Sequence, residues 1–441
     1  MAARAQPALR RDEIPSMNIL HTVEFYFPSM GGAQEVVRQI SERLAARGHN
    51  VTVATTRLKN RETRLLNGVR IEEFDISGNA VAGLHGEMGR YQRFLVEGKF
   101  DIMMNYAAQQ WSMDLVFPML EQIPYRKVMI PCGFSALYSP EFQEYFKQMP
   151  QWMRQYDHLV FHAGEYRDVN FARAYQIDNY SIIPNGASQA EFQQDVPSFR
   201  RRYHIPEDVP MLLTVGSHTG IKGHHLCMDA FQQMDINRAS LVIIGNTIGS
   251  PAGFWSLFIR PVLSAIKHRD FGLAARLVRD LFSGTLEPGC LSDCLAQARK
   301  INQNKMSEKR VFVLDPPRMD VVAAYRSADL FVLGSNVEYS PLVLYEALAS
   351  KTPFVTLACG NSAEIVRWSG GGILAPTYQK REGYVDGEPT DLARTIESLL
   401  NNPPELARLA DAGHSAWLER FTWEKIVLEY EALYQSLVLE K

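Results

Sequence analysis

Nowhere in the 441 residues is there an unbroken apolar run of the roughly 18 residues that a membrane-crossing helix requires. The opening stretch MAARAQPALRRDEIPS carries arginines but no apolar core of signal-peptide length. Residues 1–16 are therefore expected to be a disordered leader, or the product of a start upstream of Met17. Positive charge is not in excess, and a net charge of -3 gives no electrostatic case for nucleic acid. Cysteine is scarce: five residues, an odd and scattered set, argue against a disulfide framework and for a reducing compartment. A cytoplasmic location follows as the expectation. Cys290 and Cys294 stand one helical turn apart, but no matching pair accompanies them, so packing is expected there and no metal.

What the chain does hold is an ordinary globular composition, 46% apolar and 22% charged, in a length that favours two domains over one core. From Met17 the pattern runs strand, glycine turn, helix, strand: NILHTVEF, PSMGGAQ, EVVRQISERLAARG, HNVTVATT. Val36, Val37, Ile40, Leu44 and Ala45 share one helical face, which predicts the first unit of a doubly wound parallel sheet. Gly31 and Gly32 allow close backbone approach to a ligand at the end of the first strand. Further strands are expected at 69–74, 102–105, 127–131, 158–161 and 181–183, with a linker at 193–200.

A second strand-helix series opens at Met211–Val215, followed by the loop Gly216–Gly223. This loop lacks the Gly-Lys-Ser/Thr of a P-loop, which excludes that reading. A strand at 241–244 precedes the segment 247–309. There Phe254, Trp255 and Phe258 and an amphipathic run through 282 allow either helices packed on the domain or a peripheral membrane contact through 254–282.

The chemistry is expected in LFVLGSNVEYSPLVLYEALASKTPFVTLACGNSAEI, which starts at Leu330. Phe331–Leu333 suits a buried strand, and 341–350 a helix capped by Ser340 with Pro341 at its first position. The amides of Leu342 and Val343 are then left at the positive end of the helix dipole, where a phosphate sits favourably. Glu338 in the loop and Glu346 in the helix are expected to reach one pocket. Carboxylates repel a bare phosphate, so their partners are hydroxyl groups on a molecule that also carries phosphate. A sugar nucleotide fits.

The two glutamates, followed by Glu-Ala-Leu-Ala and Pro-Phe-Val, resemble the signature of the retaining GT-B glycosyltransferases of family 4, the glycosyl transferases group 1. Gly216 with Lys222-Gly223, Pro184-Asn185-Gly186 and the terminal Phe-Thr-Trp-Glu helix extend the resemblance over 17–441, apart from the insertion. It implies an α/β fold of two Rossmann-like domains facing across a cleft: an acceptor domain at 17–195, a nucleotide-sugar domain at 205–420 with its insertion at 247–309, and a C-terminal helix at 421–441 crossing back to the first domain. It further implies retaining transfer of a hexose-type sugar from a nucleotide-diphosphate sugar to a hydroxyl of a glycan or lipid-linked acceptor. Lys222 and Glu338 are the implied catalytic residues. The implied donor-binding set is Gly31, Gly32, Gly216, Ser217, Lys222, Glu338, Ser340, Leu342, Val343 and Glu346. No Asp-Xaa-Asp occurs in the chain, and neither a metal nor any other cofactor is expected in the transfer.

Two departures stand out. Ser217 replaces the family's arginine, and Tyr106 and Cys132 occupy the acceptor-side region where the family often has a histidine. The alternative these raise is a GT-B-shaped nucleotide-sugar-binding or scaffold protein with weak or no turnover.

Overall fold

A computed structural model describes residues 15–246 and 290–439. The stretch 254–282, expected either to pack as helices or to touch a membrane peripherally, lies outside the described residues. By internal contact the chain forms two compact units. One runs to Phe161 and adds Phe171–Ser181 and the residues from Val427; the other holds His162–Asn170 and Ile182–Ile426.

The first unit is built on an eight-stranded sheet. Its order is Tyr180–Ile182, His158–Phe161, Arg126–Ile130, Ile102–Tyr106, Asn18–Thr22, Asn50–Thr56, Val69–Phe74 and the short Leu65–Leu66. Asn18–Thr22 lies parallel to both Asn50–Thr56 and Ile102–Tyr106. The strand order therefore reverses beside it, as in a doubly wound sheet. Strands buried on both faces read as apolar runs, and Ile102–Tyr106 is buried at every residue. The helix Gly32–Ala46 turns Val36, Val37, Ile40 and Leu44 inward, as their spacing predicts.

The helix Trp423–Leu439 enters this unit at Val427. Tyr430 and Tyr434 are fully buried, and the Tyr434 hydroxyl lies 3.2 Å from His21 Nε2. Burial holds His21 down to about 3, so its ring is neutral at physiological pH. Between the tyrosines, Glu431 accepts two hydrogen bonds from Arg47, at 2.8 and 2.6 Å, and lies 2.9 Å from His49 Nε2. Burial alone would raise the Glu431 carboxyl; the bonds from Arg47 and His49 outweigh it and hold the group below its ordinary value.

The second unit carries a six-stranded sheet, all parallel. Its order is Arg310–Leu314, Ser240–Ile244, Met211–Val215, Leu330–Leu333, Phe354–Thr356 and Gly372–Leu374. The sequence reverses direction between Met211–Val215 and Leu330–Leu333. One face packs Leu226, Phe231, Ile301 and Ile396, the other Tyr325, Leu344, Trp417 and Phe421. The division between units falls at Ser181/Ile182, earlier than the expected 195. Two short helices, Gln189–Phe192 and Phe199–Arg202, are capped by Ser188 and Ser198. They bury Phe192 and Phe199 in this second core, so the end of the expected linker is packed, while residues 193–195 and 197–198 are exposed. Among the described residues no helix is long and apolar enough to cross a membrane.

Removing one member of a buried ion pair typically costs about 3 kcal/mol because the other is left without compensation. Glu431→Ala is therefore expected to destabilise the protein by roughly that amount at neutral pH. The folded carboxyl titrates below its unfolded value, so its contribution is present above about pH 4.5 and is lost as pH falls through the folded value. Urea denaturation of wild type and variant should show a gap at pH 7 that closes on acidification, with faster hydrogen exchange in Trp423–Leu439 of the variant.

Candidate functional site

In an open parallel sheet, the loops leaving the two strands at the reversal diverge to opposite faces and leave a crevice at the strands' carboxyl ends. In the second unit those loops are the ones after Val215 and Leu333. The first loop runs to Gly223, whose φ of 67° lies in the left-handed region; a Cβ there would sit 1.8 Å from the Gly334 carbonyl oxygen. Only glycine lets the two loops approach so closely. Gly216 serves a similar end, because a Cβ there would press at 3.2 Å on the stem of Lys222. The result is an ion pair from one loop to the other, Lys222 Nζ to Glu338 Oε1 at 2.7 Å, with side chains 27% and 12% exposed. His224 Nε2 steadies the first loop by donating to the Gly216 carbonyl at 2.9 Å. Burial, with His218 beside it, lowers His224 to about 4 and keeps it neutral.

The Glu338 loop is braced from behind. Tyr166 donates to the Glu338 carbonyl at 2.8 Å, and the His162 amide donates to the Tyr339 hydroxyl at 2.9 Å. Asn361 donates its own amide to the Tyr339 carbonyl and its side chain to the His162 carbonyl. Glu364 accepts from the Gly164 amide at 2.7 Å. These contacts are why His162–Asn170 belongs with the second unit.

The helix that follows is Leu342–Ala349, with Pro341 as its extended N-cap. This corrects the expected Ser340 cap: the Ser340 side chain bonds no helix amide, because Pro341 stands between it and the first turn. The Ser340 carbonyl instead accepts from Asn185 at 3.2 Å, tying the Pro-Asn-Gly turn to the loop. Glu346 lies inside this helix and is 9% exposed. Its Oε1 accepts from Arg318 at 2.6 Å, while Arg318 also grips Glu191 at 2.8 and 3.0 Å. Burial pushes the Glu346 carboxyl up, and Arg318 only partly offsets it. The two glutamates thus have separate cationic partners, Lys222 for one and Arg318 for the other.

Sequence reading missed Arg318. Its signal was positional: it follows Pro316-Pro317 after the strand Arg310–Leu314, at the same end of the sheet as the other two loops. Ser217, where the family has arginine, donates to Asn246 at 2.7 Å. Near this crevice the buried hydroxyls of Thr219, Ser335 and Ser362 and His224 Nδ1 make no hydrogen bond among the described residues.

In the first unit, Gly31 is the extended N-cap of Gly32–Ala46, and open space faces the position a Cβ would take on Gly32. Tyr106 ends the strand Ile102–Tyr106, and Cys132 lies 3.8 Å from its hydroxyl with a φ of 60°. The residue spacing did not single out Glu24, just beyond the first strand. Burial first, and then the charge of Asp114, raise its carboxyl to about 7.

Residues 293–416 match the family model for glycosyl transferases group 1. The D-inositol 3-phosphate glycosyltransferase of Xylanimonas cellulosilytica is 25% identical over 430 residues, 90% of this chain and 89% of that protein. The fold is that of the GT-B enzymes, and the segment 293–416 is similar to the glycosyl transferases group 1. Sucrose-phosphate synthase from Thermosynechococcus elongatus superposes on this chain with a TM-score of 0.66 at 19% identity, over 96% of this chain and 99% of that one. Anabaena Alr3699/HepE, solved in complex with UDP-glucose, gives 0.68 at 15% identity, over 96% and 100%.

Arg318→Ala leaves Glu346 buried without its cation. Arg318 itself is more than a third exposed and screened by water, so the cost comes from the glutamate and is expected at roughly 2 kcal/mol. The carboxyl then titrates further above its ordinary value, and a protonated Glu346 fits the folded state better. Stability of the variant relative to wild type should therefore fall as pH rises above about 4.5. Denaturation midpoints measured from pH 5 to pH 8 check this, and Glu346→Gln in the Arg318→Ala background should remove the pH dependence.

Proposed function

We propose that this glycosyltransferase moves a hexose-type sugar, with retention, from a nucleotide-diphosphate sugar to a hydroxyl of a glycan or lipid-linked acceptor. The observation that carries the reading is the Lys222–Glu338 pair at the strand-order reversal, beside the Leu342 and Val343 amides, for which no backbone acceptor is found among the described residues. That combination suits a molecule with an anionic tail and a hydroxylated head. A diphosphate takes the cation and the helix-end amides, and the sugar hydroxyls take the carboxylate that Lys222 releases. Glu346, oriented by Arg318, suits the ribose. The complex of Anabaena Alr3699/HepE with UDP-glucose supports the donor class.

Chemically, the bond from the anomeric carbon to the diphosphate oxygen breaks, and a bond to the acceptor oxygen forms on the same face. The acceptor proton passes to the departing diphosphate, so no protein nucleophile is required. The protein supplies alignment, and stabilisation of a leaving group whose charge grows. Lys222 fulfils the second role, because a charge-assisted contact strengthens as that charge develops. With no Asp-Xaa-Asp to hold a bridging ion, the transfer is proposed to proceed without added metal.

A panel of uridine, guanosine and adenosine diphosphate sugars tests the reading. The matching donor at about a hundred times its dissociation constant should stabilise the protein by roughly 2.7 kcal/mol. Lys222→Ala should lower kcat about 100- to 1,000-fold, the magnitude typical of a lost leaving-group contact. Added magnesium or manganese should give no increase in rate, and the product's anomeric coupling should match that of the donor. Donor binding with no transfer to any acceptor would favour the scaffold reading; no donor-dependent shift, or one that survives both Lys222→Ala and Glu346→Ala, would overturn the site.

A further inference from the structure

The Lys222 loop has a second side. While Lys222 faces Glu338, His218 on the same loop is buried against the start of the helix Cys290–Gln303. Cys290 and Cys294, four apart, project from one face of that helix. One ligating atom each of His218, Cys290 and Cys294 lies within 4.8 Å of the other two, and all three residues are buried. Cys290 Sγ is 4.0 Å from His218 Nδ1 and accepts the Gly220 amide.

We propose that His218, Cys290 and Cys294 bind a zinc-class divalent ion, which fastens the donor-site loop to the helix Cys290–Gln303. Three features support it. Tetrahedral zinc bound through sulfur and imidazole nitrogen places its ligand atoms roughly 3.5–3.8 Å apart, so closing the observed spacing needs only small side-chain rotations. Two thiolates and one imidazole are a donor set that favours zinc over magnesium or calcium. The His218 ring also has no adequate partner as it stands: Nε2 is buried without a hydrogen bond, and Nδ1 has only a thiol at 4.0 Å. A buried imidazole with neither nitrogen well satisfied calls for a ligand. Binding releases one proton from each thiol, so two thiolates balance the charge of the ion and the imidazole stays neutral. The fourth position is left to water. The donated Gly220 amide is the kind of outer contact that steadies a metal-bound sulfur.

This site does not depend on the sugar-transfer reading, and its test needs no activity. Protein purified without a metal-affinity step should contain one zinc per chain by elemental analysis, released when its thiols are blocked. Cobalt substituted for zinc should give a thiolate-to-cobalt charge-transfer band and visible d–d bands of tetrahedral intensity. His218→Ala and Cys294→Ser should lose the metal and both bands. Cys294→His should retain the metal with a weaker charge-transfer band, and circular dichroism reports whether each variant is folded. A reduced wild-type protein that takes up neither zinc nor cobalt would overturn the proposal. So would bands that survive both His218→Ala and Cys294→Ser, or a Cys290–Cys294 disulfide that re-forms on removal of reductant and excludes the metal.

Discussion

A lysine and a glutamate from two different strand ends meet because the second sheet changes direction between those strands. Met211–Val215 and Leu330–Leu333 are neighbours in the sheet, although more than a hundred residues of chain separate them. Their connections leave toward opposite faces, so only the loops themselves remain over the strand ends. A few contacts keep those loops close. Gly223 removes the side chain that would collide with Gly334, and Tyr166, Asn361 and Asn185 hold the second loop through its carbonyls.

The two ion-pair groups of this region differ in how they respond to a ligand. Lys222–Glu338 is partly open to water, and pairs of that kind contribute only about 0–1 kcal/mol. The diphosphate of the proposed donor, with charge-assisted bonds worth roughly 1.5–3 kcal/mol each, would outcompete it. Glu346 is more deeply buried, and Arg318 spans it and Glu191. That group is fixed, and suits orienting a ligand better than releasing a partner to one. The same loop that presents Lys222 on one side buries His218 on the other. Its second residue, Ser217, turns to Asn246 and brings no cation. The loop thus has one cationic contact to offer an anion and one imidazole anchored in the opposite direction.

Much of the fold was legible in the sequence. Apolar runs at 211–215, 241–244 and 331–333 became central strands, because in a sheet covered on both faces nearly every residue must be apolar. The helix at 32–46 followed from its apolar spacing. Local capping was less faithful. Ser340 precedes Pro341 as a capping serine would, yet the helix begins one residue later and the hydroxyl bonds no helix amide. The expected linker at 193–200 holds part of a helix, because Phe192 and Phe199 found a core to join, and polarity alone could not reveal that.

Sequence by itself determined the class of the molecule, two parallel α/β units, and pointed to Lys222, Glu338 and Glu346 as the polar groups of interest. It did so because strand burial and glycine turns are local properties, written in runs of a few residues. Only the tertiary structure decided the pairings: Glu338 with Lys222, Glu346 with Arg318 and Glu191, and His218 with two cysteines more than seventy residues away. Such partnerships depend on which strand ends become neighbours, and that order is set by the packing of the whole sheet.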